Sequence, residues 1–267
     1  MDNQHVREFI NRMPKCARNI VTLAGTGPNG TSQFPILRQL GRERLAALAE
    51  VNLISASSVS YFMYIAATEG GFNAEGYSNY ESQVREIHQG GLVRFFKHIF
   101  LRKHKERAFF CNELLTQTLS IFFEEKFLAL PLGDFDKNLR CHSFCKVKNR
   151  FVVLSPETHP DMTIEEVCRA CCSVPFLHGQ FSYRGACFID PMFSSHFNYL
   201  RKKMTRVDAN HLYANIKYDG EYQNILFVKN RTQRFPVLFT LMEFFYLCVG
   251  IPNRAIESTH KYNLRHL

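Results

Sequence analysis

Residues 51–60 read Val-Asn-Leu-Ile-Ser-Ala-Ser-Ser-Val-Ser, an apolar run that changes abruptly into a cluster of serines. Residues 51–54 have the composition of a short buried strand, and residues 58–67 have the apolar pattern of a helix. A strand that passes directly into a helix needs small residues at the junction, because the backbone is crowded there. The stretch therefore predicts a strand, a turn and a helix, with Ser58 exposed between the small residues Ala56 and Ser60.

The preceding part of the chain has the same arrangement. Residues 19–24 form a β-prone run, residues 25–30 (Gly-Thr-Gly-Pro-Asn-Gly) form a glycine loop, and residues 31–40 have helical spacing. Two successive strand–turn–helix units are typical of a parallel sheet that is covered by helices on both faces. The sequence thus predicts an α/β protein with three layers, α/β/α, around a mainly parallel central sheet.

Further elements extend this pattern towards the C-terminus. Thr163 and Glu166 have the spacing of a capping box for a helix that ends near Cys172. The remaining helices and strands are predicted from composition and spacing at residues 42–50 and 109–130 (helices) and at 151–154, 185–189 and 225–228 (strands). Neither a repeat nor a low-complexity linker divides the chain, so we predict a single domain over residues 1–267.

The composition favours a globular protein with negatively charged partners. Hydrophobic residues make up 46% of the chain, the net charge is +9 and the pI is near 9.1. Nucleic acid is one candidate partner, but the basic residues do not form a recognisable nucleic-acid motif, so we expect no nucleic-acid partner. Salt-sensitive binding to DNA or RNA would support that alternative.

The sequence predicts a cytoplasmic protein without a membrane-spanning helix. Basic residues interrupt every apolar run in residues 1–20, which argues against a secretory signal. The apolar residues 237–251 are fewer than the roughly 20 that a spanning helix needs, and they predict a buried helix.

Nine cysteines cannot all pair within one chain, which favours reduced thiols. Residues 141–145 (Cys-His-Ser-Phe-Cys) and 168–172 (Cys-Arg-Ala-Cys-Cys) could be combined into a zinc site. We favour cysteine as a small apolar side chain in the second group, which has helical spacing, and we place the first group in a basic loop. No metal and no cofactor are therefore expected.

A basic segment rich in phenylalanine occupies residues 85–107. Cationic and aromatic residues alternate there at helical spacing, which is typical of a helix that lies on an anionic membrane. The candidate membrane-binding residues are Arg94, Lys97, Arg102 and Lys103. The alternative is an ordinary surface helix whose phenylalanines pack on the core.

The glycine loop at residues 25–30 can direct several backbone N–H groups at one point beside a helix N-terminus. Such a loop binds a phosphate, or it holds the oxyanion of a tetrahedral intermediate. A nucleotide site is disfavoured, because no lysine follows Gly30 where a phosphate-binding loop requires one.

The order of glycine loop, serine turn and a later Asp at a strand end resembles the patatin-like phospholipase family. The resemblance runs from about Asn19 to His196. It includes the loop at residues 21–30, the turn at 54–60, the Cys-to-Phe segment at 168–176 with its Ser-Val-Pro-Phe end, and Phe-Ile-Asp-Pro at 188–191.

The resemblance implies a lipid acyl hydrolase, a phospholipase-like serine esterase that uses a Ser–Asp dyad without histidine. Ser58 would be the nucleophile, Asp190 the general base, and the amides of Gly25, Thr26 and Gly27 the oxyanion hole. The implied substrate is a lipid or phospholipid.

The chain departs from the family pattern at several positions. Ala56 and Ser60 replace glycines of the serine turn, and Pro28 has no N–H to donate to an oxyanion. These changes leave a second interpretation open, a catalytically inactive patatin-like fold that binds lipid or another protein. Asp219 is an alternative base, although its sequence context predicts a hairpin turn.

Overall fold

The computed structural model describes residues 3–25, 33–87, 112–175, 178–194, 200, 208–215, 220–222 and 225–229. Within these ranges the chain forms helices around one mixed β-sheet. The helices are α1 (Gln4–Arg12), α2 (Phe34–Leu40), α3 (Arg42–Ala46), α4 (Ser57–Glu69), α5 (Ala74–Ser78), α6 (Tyr80–Ile87), α7 (Glu113–Phe122), α8 (Glu125–Leu128) and α9 (Ile164–Cys172). The strands are β1 (Asn19–Leu23), β2 (Glu50–Ile54), β3 (Leu139–Cys145), β4 (Arg150–Leu154), β5 (Phe181–Tyr183), β6 (Ala186–Ile189), β7 (Asn210–Asn215), β8 (Gly220–Tyr222) and β9 (Ile225–Lys229).

The sheet is parallel in its centre and antiparallel at its edges. The strand order is β5-β6-β3-β2-β1-β7-β9-β8, and β4 pairs with β3. Strands β3, β2, β1, β7 and β9 run parallel to one another, whereas β4 and β6 pair antiparallel with β3. This confirms the predicted α/β class with a mainly parallel central sheet.

Each face of the sheet is covered by a different apolar cluster. The alternate residues Val21, Leu23, Val51 and Leu53 pack on one side in the same core as side chains of α2, α4 and α9. On the other side Ala24, Ile54 and Tyr213 pack with Leu200, which is itself helical. Helices on both faces give the three-layer arrangement that the two strand–turn–helix units predict.

The second face also carries buried polar side chains in the middle of the sheet. The His211 Nε2 and Thr22 Oγ1 atoms are 2.8 Å apart, and the His142 Nε2 and Asn52 Oδ1 atoms are 2.9 Å apart. Burial lowers the pKa of His211 to about 4, so its ring is neutral at pH 7. These two pairs join neighbouring strands within the core.

Several predicted elements are confirmed with small changes at their ends. Strands β1, β2, β4, β6 and β9 lie where the sequence predicts them. The capping box of α9 is formed by Thr163 and Glu166, with both reciprocal hydrogen bonds present. Where the sequence predicts one helix over residues 42–50, α3 ends at Ala46 and β2 begins at Glu50.

The helix predicted over residues 109–130 is wrong in its middle. Helix α7 ends at Phe122, and Phe123 has an extended backbone that bridges to Phe72 before α8 begins. Phe123 is fully buried and stacks on Phe127, so packing of the aromatic rings is compatible with the break in the helix.

The basic loop predicted around residues 141–145 is also wrong, because this segment is β3. Its side chains alternate: Cys141 and Cys145 join the main core, while His142 bonds Asn52 on the opposite face. Cys and His neighbours on opposite faces cannot converge on one ion. Over the described ranges, no group of His, Cys, Asp and Glu has the geometry of a metal site.

The structure leaves some predictions untested. The membrane-binding candidates Arg94, Lys97, Arg102 and Lys103, the alternative base Asp219 and the apolar residues 237–251 lie outside the described residues. Within the described ranges, no helix has the length and apolar character needed to cross a bilayer. The single domain over residues 1–267 stays a prediction.

Candidate active site

The junction between β2 and α4 is centred on Ser55. Ser55 directly follows Ile54, the last residue of β2, and its φ of 59° lies in the left-handed region. For a residue other than glycine this conformation costs about 1–2 kcal/mol. Helix α4 begins two residues later at Ser57, so Ser55 occupies the sharp turn between strand and helix. Strained residues of this kind cluster at functional sites, which makes Ser55 the first candidate.

The topology of β3 brings Asp190 to this turn. Strand β2 pairs with residues 139–142 of β3, and β6 pairs with Phe144 and Cys145 on the same edge. The two strands run in opposite directions, so their C-terminal ends face each other near Ser143. Ser55 and Asp190 are the first residues beyond those ends, and this juxtaposition explains why they meet although they are far apart in sequence.

The Ser55 hydroxyl donates a hydrogen bond of 2.5 Å to Oδ2 of Asp190. The other carboxylate oxygen, Oδ1, accepts the backbone N–H of Met192 at 2.9 Å. The Asp190 backbone N–H in turn donates to the carbonyl of Ser173 just beyond α9. These contacts fix the carboxylate in orientation with one oxygen directed at the serine.

Asp190 lies in a poorly solvated position, with 2% of its surface exposed. Burial raises the pKa of its carboxyl from the ordinary 3.8 to about 7, because a charge is costly to remove from water. The hydrogen bonds from Ser55 and Met192 lower the pKa and offset part of this effect. A carboxylate with a pKa near neutrality is a better general base than an ordinary aspartate.

Gly25, at the start of the predicted oxyanion loop, lies directly against Ser55. A Cβ atom placed on Gly25 would be 2.8 Å from both the Ser55 Oγ and the Ile54 carbonyl oxygen, and would also overlap the Ser55 Cβ. Only a glycine lets the main chain approach the serine this closely. Gly25 therefore lies in close contact with the candidate serine, whereas Thr26 and Gly27 lie outside the described residues.

The structure does not bring the predicted nucleophile, Ser58, to Asp190. The Ser58 hydroxyl donates to the carbonyl of Ser55 at 2.8 Å and lies 3.8 Å from the Cys172 Sγ. Ser58 is fully buried within the first turn of α4. The geometry therefore pairs Asp190 with Ser55. The sequence, in which Ser58 lies between the small residues Ala56 and Ser60, predicts a serine three residues later.

The three cysteines of α9 pack around Ser58 as apolar side chains. Cys168, Cys171 and Cys172 are buried, and burial is a cause that raises the pKa of each thiol. They are therefore protonated at neutral pH and unreactive as nucleophiles. This agrees with the interpretation of the group as small core residues rather than as metal ligands.

A hydrogen-bond network that includes Arg169 and Ser173 holds the backbone of Asp190. Asn112 accepts from the Arg169 Nε at 2.6 Å and donates to the Ser173 hydroxyl at 2.7 Å. The Ser173 hydroxyl donates to the Arg169 carbonyl, and the Ser173 carbonyl holds the Asp190 backbone. The sequence signal for this network is the Ser-Val-Pro segment, whose role only the three-dimensional contacts reveal.

Comparison with known proteins gives a distant structural likeness. No protein-family model matches the chain, and no curated protein matches it. Among solved structures, the chain is similar to the crystal structure of VipD from Legionella pneumophila, with a TM-score of 0.39 and 11% sequence identity. The similarity covers 91% of this chain and 66% of VipD, so the chain spans about two thirds of the length of that protein.

Proposed function

We propose that this chain is a serine acyl hydrolase in which Ser55 is the nucleophile and Asp190 the general base. The observation that carries the proposal is the hydrogen bond of 2.5 Å from the Ser55 hydroxyl to Asp190 at a strained strand–helix turn. A serine hydroxyl is a weak nucleophile unless an adjacent base accepts its proton. Asp190 lies within that distance and has a pKa near neutrality.

The proposed reaction proceeds in two steps. Ser55 Oγ attacks the ester carbonyl carbon while its proton passes to Asp190, and amides at the Gly25 end of the glycine loop stabilise the oxyanion. The intermediate collapses, and the leaving alcohol takes the proton from Asp190. Water then attacks the acyl-enzyme and gives a proton to Asp190, and Ser55 recovers that proton as the carboxylic acid leaves.

We further propose that the substrate is a lipid or phospholipid ester and that the fold is patatin-like. The support is the sequence order of glycine loop, serine turn and strand-end Asp, now joined by the contacts between Gly25, Ser55 and Asp190. The net charge of +9 favours an anionic lipid surface as the place of action. The membrane-binding role of Arg94, Lys97, Arg102 and Lys103 is part of this proposal.

Covalent trapping tests the assignment of the nucleophile. A fluorophosphonate probe should add to wild type, and fragmentation of the labelled peptide should place the adduct on Ser55. Ser55→Ala should remain unlabelled, whereas Ser58→Ala should still react. An adduct on Ser58 would contradict the mechanism, and the absence of both labelling and ester hydrolysis in folded wild type would support an inactive binding protein.

A further inference from the structure

The hydroxyl of Ser57 joins the two strand ends that build the candidate site. Ser57 is the first residue of α4 and is fully buried. Its Oγ lies 2.7 Å from each of three main-chain atoms: the Ile54 nitrogen, the Ile54 oxygen and the Leu23 oxygen. Leu23 belongs to β1 and Ile54 to β2, so one side chain contacts both strands where they end.

The single hydroxyl hydrogen limits what these contacts can be. Ser57 Oγ accepts the N–H of Ile54, and its own hydrogen donates to the carbonyl of Leu23 or of Ile54. The contact with Ile54 is local and serves the turn itself. The contact with Leu23 crosses to the neighbouring strand and joins the end of β1 to the start of α4, next to the turn that carries Ser55.

The end of β1 leads directly into the glycine loop. The Ala24 N–H donates to the Ala214 carbonyl at 2.9 Å, and the Ala24 carbonyl accepts from Gln33 Nε2 at 2.5 Å. Leu23 is held by Ser57, and Gly25 follows against Ser55. The Ala24 carbonyl is thus held by Gln33, and the Leu23 carbonyl lies within hydrogen-bond distance of Ser57.

We propose that Ser57 is a positioning residue, whose hydroxyl aligns the Gly25 end of the oxyanion loop with the nucleophile. The inference rests on the proposed acyl-hydrolase function. A glycine occupies this part of the turn in enzymes with the Gly-x-Ser-x-Gly pattern, and glycine has no side chain to form such a bond. In this chain the hydroxyl of Ser57 lies within hydrogen-bond distance of the end of β1, two residues before Gly25.

Ser57→Ala tests this role by removing the hydroxyl without adding volume. We expect kcat for a short-chain p-nitrophenyl ester to fall roughly tenfold to hundredfold, because small misplacements of catalytic groups have effects of this size. KM should change less than about twofold, since the substrate's ground state does not depend on the oxyanion amides. The rate of reaction with a phosphonate, which also develops an oxyanion, should fall in parallel with kcat.

Ser60→Ala is the matched control. Ser60 is buried in the same helix, and its hydroxyl also donates to a main-chain carbonyl, that of Ala56 at 3.3 Å. This bond links Ser60 to the residue just before α4 and does not reach β1. We expect kcat of Ser60→Ala within twofold of wild type, even where its melting temperature falls as much as that of Ser57→Ala.

Two results would overturn the inference: a kcat for Ser57→Ala within twofold of wild type, or an equal fall in Ser60→Ala. If Ser57→Ala does not fold, Ser57→Cys replaces it, because the thiol fills a similar space but is a weak donor. A kcat for Ser57→Cys within twofold of wild type, or an equal fall in Ser60→Ala, would then overturn the inference. Failure of the proposed function gives a different result, since wild type would then be inactive or the activity would survive Ser55→Ala.

Discussion

Ser55 and Ser58 are three residues apart, yet their surroundings differ completely. Ser55 has a positive φ, and its hydroxyl reaches across the fold to a buried carboxylate. Ser58 is part of a regular helix, and its hydroxyl returns to the carbonyl of Ser55. In the proposed mechanism the end of the strand, rather than the spacing of small residues, identifies the nucleophile, because Ser55 lies between strand and helix whereas Ser58 lies within the helix.

The largest effect after loss of the nucleophile is expected from Asp190→Asn. The amide cannot accept the proton of Ser55 as a carboxylate does, so ester hydrolysis should fall on the order of 10³-fold or more. The asparagine side chain has nearly the same shape and keeps the contact with Met192. Initial rates at saturating substrate measure the effect, and activity within tenfold of wild type would show that Asp190 is not the base.

Gly25→Ala tests the close contact between the glycine loop and Ser55. The added Cβ would overlap Ser55 and the Ile54 carbonyl, so hydrolysis should fall about a hundredfold. Overpacking should also lower the free energy of unfolding by roughly 1–3 kcal/mol. Chemical denaturation and ester hydrolysis measure the two effects.

Gly133→Ala is the control for that substitution. A Cβ on Gly133 would lie 3.1 Å from the Pro160 Cβ, a milder contact away from the serine turn. We expect near-normal activity from it. Equal loss of activity in the two variants would mean that Gly25 matters only for folding.

The pH dependence of activity should reflect the raised pKa of Asp190. Only the deprotonated carboxylate can accept the Ser55 proton, so kcat/KM should rise with pH and level off above about 7. An ordinary aspartate would give a profile that is already flat above pH 5. A flat profile between pH 5 and 8 in folded enzyme would contradict the buried-base geometry.

The same pKa predicts a smaller effect on stability. Because the folded state holds the Asp190 proton more tightly than the unfolded chain, the contribution of this group to stability falls as pH rises from about 4 to about 7. Asp190→Asn has no charge to bury, so it should be more stable than wild type at pH 8, by up to roughly 4 kcal/mol. Urea unfolding at pH 5 and pH 8 measures this, and the gain should be smaller at pH 5.

The sequence predicts the centre of the fold well because local signals agree there. Apolar strands followed by glycine or serine turns and then by helices identify β1, β2 and α4, and the capping box identifies the start of α9. The position of Asp190 at the end of β6 was also predictable, since an apolar run ends at that residue.

The rest depends on contacts that are distant in sequence. Strand β3 carries arginine, histidine and serine, which are not typical of a buried strand, and the strand is identified only from its pairing with β2 and β4. Likewise, the choice between Ser55 and Ser58 requires the knowledge that β6 meets β2 end to end. One signal could have favoured Ser55: it is the first polar residue after the strand.

Hydrolysis of a short-chain p-nitrophenyl ester by Ser55→Ala and by Ser58→Ala, with circular dichroism to verify folding, tests the central claim most directly. We predict that Ser55→Ala loses activity to the background rate, whereas Ser58→Ala retains at least about a tenth of it, because its hydroxyl only supports the turn. Activity that survives in Ser55→Ala and disappears in folded Ser58→Ala would contradict the account.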